Sequence, residues 1–312
     1  MNGHRDSGAW KAYRGFLLLV LSLAAGIALL WGILTAATGG RFWRDFTGQH
    51  LEGPLSTVYI ALLYFMALFI FIKYWNIVSG RSIKAVGIES LDLRLFGRGV
   101  ALGTVALLFY FVPLVVMRAV TPVDGKAVAA EMVKAFFWGH IALNALVCLA
   151  LAFTEELVFR GVIFQSFLKH VSRSHALIFT GVFFAAVHMF CSGSPALKAM
   201  YFVTLFCFNA ALCSMVLLSG SLWSAVGFHF ILIFVILVRN YLKVLEITPQ
   251  AAGVIFGISQ HPMAGLWSIF TFLVTLALLW LLYGKRGIVL RDCGPQAEEG
   301  KGTPLEAEEE LA

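Results

Sequence analysis

Charged residues are scarce in this chain of 312 residues: Asp, Glu, Lys and Arg make up 13%, whereas apolar residues make up 60%. A water-soluble domain carries about 25% charged and about 45–50% apolar residues. The shortage of charge therefore excludes a soluble globular protein. A helix that crosses a bilayer needs about 20 mostly apolar residues, and such runs recur along the chain. The sequence thus predicts an all-α fold, a polytopic transmembrane helical bundle.

Cysteine is also rare, and its pattern excludes an extracellular disulfide framework. The five cysteines are odd in number, and most of them lie inside apolar runs. We therefore interpret them as reduced packing residues. The net charge is +6, but the Lys and Arg residues form short clusters between apolar runs, where they determine membrane topology. The implied surroundings are a lipid bilayer, and no nucleic-acid partner is expected.

About eight spans are predicted from the lengths of the apolar runs and from the Gly, Pro and charged residues between them. Their ranges are 15–37, 55–72, 99–117, 135–168, 174–191, 199–218, 222–238 and 264–283. An even number of spans places both termini on one side of the membrane. Lys and Arg flank the first and last spans, so we expect both termini to be cytoplasmic.

The same pattern divides the chain into five regions. These are a cytoplasmic N-terminus at 1–14, an N-terminal transmembrane region at 15–134, a central region at 135–240, a C-terminal transmembrane region at 241–290 and a tail at 291–312. The tail is acidic and contains no aromatic residue. A segment of this composition cannot bury enough apolar surface to fold, so we expect it to be disordered.

The central region holds ionisable residues within its apolar spans. Glu155, Glu156 and Arg160 lie in one span, and His188 and His229 lie in neighbouring spans. Each intramembrane charge costs about 2.5–3.5 kcal/mol on insertion scales. Residues that are retained at such a cost indicate a functional site, and histidine is suited to proton transfer.

Helical spacing separates the two glutamates. Glu156 and Arg160 are four residues apart and share one side of a helix, so we expect them to form a supporting ion pair. Glu155 is rotated by about 100° from Glu156 and can face a cavity as a general base. Counting about 1.5 Å per residue from the predicted cytoplasmic span ends puts Glu155 and His188 at similar depth. The same count puts His229 roughly 10 Å from its span end, nearer the cytoplasm.

Three motifs, in order along the chain, carry a resemblance to a known family. The sequence EELVFR at 155–160 resembles the EExxxR motif of the CPBP family, the CAAX protease and bacteriocin-processing intramembrane proteases. FAAVH at 184–188 resembles its FxxxH motif, and SLWSAVGFH at 221–229 is similar to its third motif, which ends in a histidine. The resemblance covers about residues 140 to 240 and identifies 135–240 as a CPBP-like catalytic core.

The resemblance implies a glutamate-dependent intramembrane endopeptidase. In such a protein Glu155 and His188 would activate the attacking water, and Glu156 and Arg160 would be structural. His229 would help to bind the developing oxyanion. The substrate would be a membrane-anchored or hydrophobic protein or peptide, with a CAAX-like tail, a sorting tail or a leader peptide as the cleaved segment.

The chain departs from the family pattern one helical turn after His229. The family commonly has an asparagine there, but this chain has Ile233, which cannot donate a hydrogen bond. Loss of one oxyanion donor costs about 2.7–4 kcal/mol in other enzymes. Asn209 is a candidate substitute, although an interhelical hydrogen bond is the alternative interpretation of this residue. The departure favours the alternative of a non-catalytic CPBP-like peptide-binding or immunity protein.

Two further alternatives concern metal and transport. Glu155, His188 and His229 are the ligand types of a His₂Glu zinc site, but the chain has no HExxH sequence. We favour catalysis without a cofactor and keep zinc as the alternative.

A transporter could use intramembrane charges as relay residues, but the sequence has neither internal repeats nor paired broken spans.

Overall fold

The computed structural model describes residues 3–40, 66, 68–76, 91–121, 123–134, 137–189, 194–249, 251–257 and 263–283. Within these ranges the chain is helical, and β-structure is limited to two isolated bridges, Val120 with Ile247 and Gly253 with Gly257. This confirms the all-α fold. The predicted span 55–72 lies mostly outside the described residues, and the predicted disordered tail lies entirely outside them.

The described helices follow one another with short connections in the central region. They are α1 (Gly3–Ala37), α2 (Leu93–Val116), α3 (Gly125–Met132), α4 (Phe137–Glu156), a π-helical segment (Leu157–Phe164), α5 (Gln165–Leu168), α6 (Arg173–Val187), α7 (Pro195–Ser219), α8 (Trp223–Leu242) and α9 (Leu266–Tyr283). A further helical stretch occupies 68–76.

Six of the described helical segments are long and apolar enough to cross a membrane, and six of the predicted spans correspond to them. They are Tyr13–Ala37, Leu93–Val116, Phe137–Leu168, Pro195–Ser219, Trp223–Leu242 and Leu266–Tyr283. The predicted span at 174–191 corresponds to α6, which has 15 residues. A helix of that length is about 22 Å long, shorter than the roughly 30 Å hydrocarbon core. The chain is an integral multi-pass membrane protein.

Polar residues between the apolar runs determine where the central helices begin and end. The side chain of Asp92 accepts hydrogen bonds from backbone amides at the start of α2. Ser172 and Ser194 cap the starts of α6 and α7 in the same way, and Pro195 follows at the first turn of α7. Gly220 ends α7 in the left-handed conformation, with φ of 66°, which glycine adopts without steric cost. These residues set the start of α6, which leads to His188, and both ends of α7, which precedes the helix with His229.

Helix α8 lies at the centre of the described bundle and packs against α2, α4 and α7. Its contact with α2 depends on glycine. A Cβ atom on Gly99 would lie 2.0 Å from the carbonyl oxygen of Ser224, and one on Gly227 would lie 2.1 Å from that of Phe96. Small residues permit this close approach of two membrane helices. The packing therefore fixes α8 just before His229.

The span that carries the glutamates changes its helical form within the bundle. Helix α4 ends at Glu156, and the chain continues without a break into the π-helical segment. All eight residues of that segment are buried, Arg160 among them. Short π-helical stretches within α-helices are rare and frequently occur at functional sites. The change of form thus begins directly at the residues that the sequence singled out.

Candidate active site

The five predicted site residues come from four helical elements that meet inside the bundle. Glu155 and Glu156 form the last turn of α4, and Arg160 lies in the π-helical segment. His188 directly follows the end of α6, and His229 lies in the second turn of α8. Ion-pair distances link all five into one cluster.

The inner part of the cluster is a buried ionic group centred on Glu156. Arg160 Nη1 donates a hydrogen bond to Glu156 Oε1 at 3.0 Å, and both side chains have no exposed surface. His229 Nδ1 lies 2.8 Å from the same oxygen. An ionised carboxylate only accepts hydrogen bonds, so the hydrogen of His229 belongs on Nδ1. Glu156 therefore fixes both the orientation and the tautomer of this histidine.

Aromatic rings complete the surroundings of the buried group. The Arg160 guanidinium lies 4.5 Å from the centre of the Phe184 ring, a cation–π arrangement that partly offsets the loss of hydration. Its Nε and Nη2 atoms have no hydrogen-bond partner among the described residues. The ring of Phe208 meets that of His229 edge to face, with centroids 5.0 Å apart. The inner group is thus enclosed on several sides by apolar material.

The outer part of the cluster is more accessible and is centred on Glu155. Its Oε2 atom lies 3.7 Å from His188 Nε2 and 3.9 Å from His229 Nε2. The Glu155 side chain is 15% exposed and that of His188 is 28% exposed. Separations just beyond hydrogen-bonding distance leave space for a bridging water or substrate atom. The reactive atoms of three side chains therefore point at one partly accessible position.

The orientation of His188 follows from a backbone contact. Its Nδ1 atom lies 2.7 Å from the carbonyl oxygen of Phe184, and a carbonyl can only accept, so the hydrogen belongs on Nδ1. In the neutral ring Nε2 then carries a lone pair. That lone pair faces Glu155 and can accept a proton. The first and last residues of the FAAVH motif are therefore joined by a direct hydrogen bond.

The structure brings His229 next to the two residues that were predicted to lie deeper. Counting along the predicted spans placed it roughly 10 Å nearer the cytoplasm than Glu155 and His188, yet its Nε2 lies 3.9 Å from Glu155 Oε2. His229 is only six residues into α8, whereas His188 comes after all fifteen residues of α6. The depth of His229 in the membrane stays a prediction.

Asn209 has polar contacts with Leu177 and Cys213. Its side-chain nitrogen donates to the carbonyl oxygen of Leu177 on α6 at 3.5 Å, and Cys213 Sγ lies 3.7 Å from its side-chain oxygen. These contacts correspond to the interhelical alternative, and an oxyanion role for Asn209 stays a prediction. Ile233 is half-buried and packs against the apolar core.

Metal binding was tested against the same geometry. Among the described residues, no group of three His, Cys, Asp or Glu side chains has an arrangement that could hold a metal ion. Zinc held by Glu155, His188 and His229 stays the alternative prediction to catalysis without a cofactor.

The contact between Glu156 and His229 is the feature that sequence reasoning missed. The two residues are 73 positions apart, and the family pattern assigned them separate roles. The one available signal was their charge chemistry: a buried carboxylate with a single arginine partner retains capacity for a second donor. His229 supplies that donor from α8.

The structure is thus an all-α multi-pass bundle that encloses a cluster of two glutamates, an arginine and two histidines. Residues 136–235 match the family model described as type II CAAX prenyl endopeptidase Rce1-like. This segment contains all three motifs and is similar to the CAAX proteases over its whole length. The family indicates a protease and therefore a hydrolase. No curated protein and no solved structure matches the chain significantly.

Proposed function

We propose that this protein is an intramembrane endopeptidase that cleaves a membrane-anchored protein near a prenylated, CAAX-like tail, by means of a water molecule activated by Glu155 and His188. The observation that carries the proposal is the position of Glu155 Oε2, 3.7 and 3.9 Å from two histidine Nε2 atoms. A general base must lie within reach of the proton that it removes. Sorting tails and leader peptides are other hydrophobic segments of the same substrate class.

In the proposed reaction a water donates one hydrogen bond to Glu155 Oε2 and the other to His188 Nε2. Glu155 takes a proton as the water oxygen attacks the scissile carbonyl carbon, so a C–O bond forms and the carbonyl oxygen becomes an oxyanion. The protonated Glu155 then gives its proton to the leaving nitrogen, and the C–N bond breaks. Acid–base assistance of this kind contributes about 10²–10⁴-fold in rate.

His229 is proposed to stabilise the oxyanion through Nε2. Because Nδ1 already donates to Glu156, this role requires a proton on both ring nitrogens. The carboxylate oxygens next to the ring are Glu156 Oε1, 2.8 Å from Nδ1, and Glu155 Oε2, 3.9 Å from Nε2. A charged donor in a site with little water stabilises a developing oxyanion strongly. Glu156 and Arg160 act as positioning residues, since both are fully buried.

A second candidate function is a non-catalytic relative that binds a hydrophobic peptide in the same site. One observation favours it: Ile233 stands where the family commonly has a hydrogen-bonding asparagine. The two candidates make the same prediction for folding but opposite predictions for turnover. A cleavage experiment therefore separates them.

The experiment uses the full chain in liposomes with a farnesylated CAAX peptide that carries a quenched fluorophore. Wild type should cleave it, and Glu155→Gln and His188→Ala should each lower the rate by about 10²–10⁴-fold. Because the two residues act as a unit, the double variant should be little slower than either single variant. Glu131→Gln is the matched control, since Glu131 pairs with Lys134 on the surface. It should retain the wild-type rate.

Three outcomes would overturn the proposal or part of it. Near-wild-type cleavage by Glu155→Gln would exclude this glutamate as the base. A wild-type protein that binds the peptide without cleaving it would establish the non-catalytic alternative. Loss of activity on chelation, with recovery on addition of zinc, would replace the metal-free mechanism. We expect a chelator to leave the rate unchanged.

A further inference from the structure

A cavity with a volume of about 480 Å³ lies between α2, α7, α8 and α9. It is formed where α2 and α8 begin and where α7 and α9 end, so it lies at one end of the bundle. None of the five active-site residues lines it. Its volume is within the range of about 300–1,000 Å³ that is typical of small-molecule sites. The cavity is therefore a candidate binding site distinct from the protease centre.

The lining is apolar with a single cationic group. Met215 and Leu279 are buried at its inner side, whereas Val105 and Leu282 are exposed at its rim. Arg98 also lines the cavity and is exposed. The described lining includes no acidic residue. A ligand with a long apolar chain and an anionic end would match this distribution of surfaces.

Arg98 is available to such a ligand. It forms no ion pair with any residue in the part of the chain that the structure describes. Asp92, the nearest acidic residue along α2, is engaged at the helix start, where its side chain accepts from the backbone amides of Arg94 and Leu95. An exposed guanidinium beside an apolar cavity is well suited to a phosphate, which it can bind through two parallel hydrogen bonds.

The position of the cavity along the spans indicates that its ligand is a membrane lipid. It opens at the ends of four helices, where a bilayer passes from its acyl chains to its headgroups. Tyr283 lines it at the end of α9, and tyrosine is enriched at this level of membrane proteins. Basic pockets between membrane helices bind anionic headgroups.

We propose that the cavity binds one anionic phospholipid, with an acyl chain between α2 and α9 and the phosphate at Arg98. The apolar lining accommodates the acyl chain, which packs against the helices by van der Waals contact. Arg98 provides the preference for an anionic headgroup. The inference does not depend on the protease activity, and its test requires no substrate.

The test is native mass spectrometry of the full chain in detergent, titrated with phosphatidylglycerol or phosphatidylcholine of identical acyl chains. Wild type should bind one phosphatidylglycerol about fivefold more tightly than phosphatidylcholine, the ratio that corresponds to about 1 kcal/mol for one basic residue near the surface. Inorganic phosphate should not compete at equal concentration, because it lacks the acyl chain. Equal affinity for the two lipids, or displacement by phosphate, would overturn the proposal.

Two pairs of variants localise the site. Arg98→Gln should remove the headgroup preference, whereas Arg94→Gln should change it by less than about twofold, since Arg94 is exposed on the same helix but does not line the cavity. Val105→Trp should fill the cavity and abolish tight binding of both lipids. Val112→Trp is its control, because Val112 is 52% exposed against 50% for Val105 and lies outside the lining. Equal behaviour within either pair would refute the assignment.

Discussion

Two consecutive glutamates lie in opposite environments. Glu156 is fully buried and contacts Arg160 and His229 through one oxygen. Glu155 is 15% exposed, and its Oε2 atom faces the Nε2 atoms of both histidines from beyond hydrogen-bonding distance. A rotation of about 100° along one helix separates a structural carboxylate from an accessible one. Identical side chains thus acquire different chemistry from the helix faces that they occupy.

The difference has an energetic basis. A buried ion pair as a whole contributes little net stability to the fold. Removal of one partner, however, leaves an uncompensated buried charge and is strongly destabilising. A carboxylate with access to water tolerates loss of its charge, because hydration replaces the lost contacts. Substitutions in the inner group around Glu156 should therefore mainly lower the free energy of unfolding. Substitutions in the outer group around Glu155 should mainly lower the cleavage rate.

The largest expected effect is at Arg160. Arg160→Ala leaves Glu156 buried with His229 as its remaining ionisable contact, and should destabilise the folded protein by about 3–5 kcal/mol. Thermal unfolding in detergent measures the change. The exposed Arg94→Ala on α2 is the control and should stay within about 0.5 kcal/mol of wild type. An Arg160→Ala protein that is as stable as wild type but inactive would assign Arg160 to the chemistry and break the comparison.

A smaller effect is expected at His229, which contacts both glutamates. His229→Ala should lower the cleavage rate by about 10²–10³-fold if Nε2 is an oxyanion donor, and it should also reduce stability because Glu156 loses a buried partner. His188→Ala should lower the rate at little cost in stability, since its side chain is more exposed. Parallel rate and unfolding measurements separate the two. A His229 variant with unchanged stability would indicate that its contact with Glu156 is not structural.

The smallest effect tests the packing that positions His229. Gly227→Ala would place Cβ against the carbonyl oxygen of Phe96, and we expect a loss of about 1–3 kcal/mol from overpacking. Gly97→Ala on the facing helix meets no atom within 4 Å and should stabilise by about 0.5–1 kcal/mol. Unfolding temperatures of the two variants give the comparison. A neutral Gly227→Ala would show that the contact between α2 and α8 is loose.

Much of this architecture follows from local sequence properties. Membrane spans are predictable because each needs its own apolar run, and the ranges predicted for α2, α7 and α9 correspond to the helices that are found. The contact between Glu156 and Arg160 follows from four-residue spacing alone. The resemblance of the central region to the CAAX protease family was predicted from three motifs, and the match over 136–235 confirms that resemblance. The orientation of the termini stays a prediction from the Lys and Arg distribution.

Other features depend on distant parts of the chain. The hydrogen bond between His229 and Glu156 requires α8 to cross the end of α4, which no local pattern encodes. The π-helical segment was predicted as ordinary helix, because its residues Leu157–Phe164 have the same apolar character as their neighbours. The approach of His229 to Glu155 was not evident from the depth count, which assumed that all spans begin in one plane. In each case tertiary packing determined the result.

The most direct test of the central claim replaces each glutamate by its amide, which preserves the shape of the side chain and removes its basicity. The free energy of unfolding of Glu155→Gln should be within about 0.5 kcal/mol of the wild-type value. Its cleavage rate should be lower by about 10²–10⁴-fold. Glu156→Gln should be destabilised by about 1–3 kcal/mol, because Arg160 loses its charged partner. Cleavage of the farnesylated peptide and unfolding would be measured on the same preparations. A stable but inactive Glu156→Gln beside an active Glu155→Gln would contradict the account.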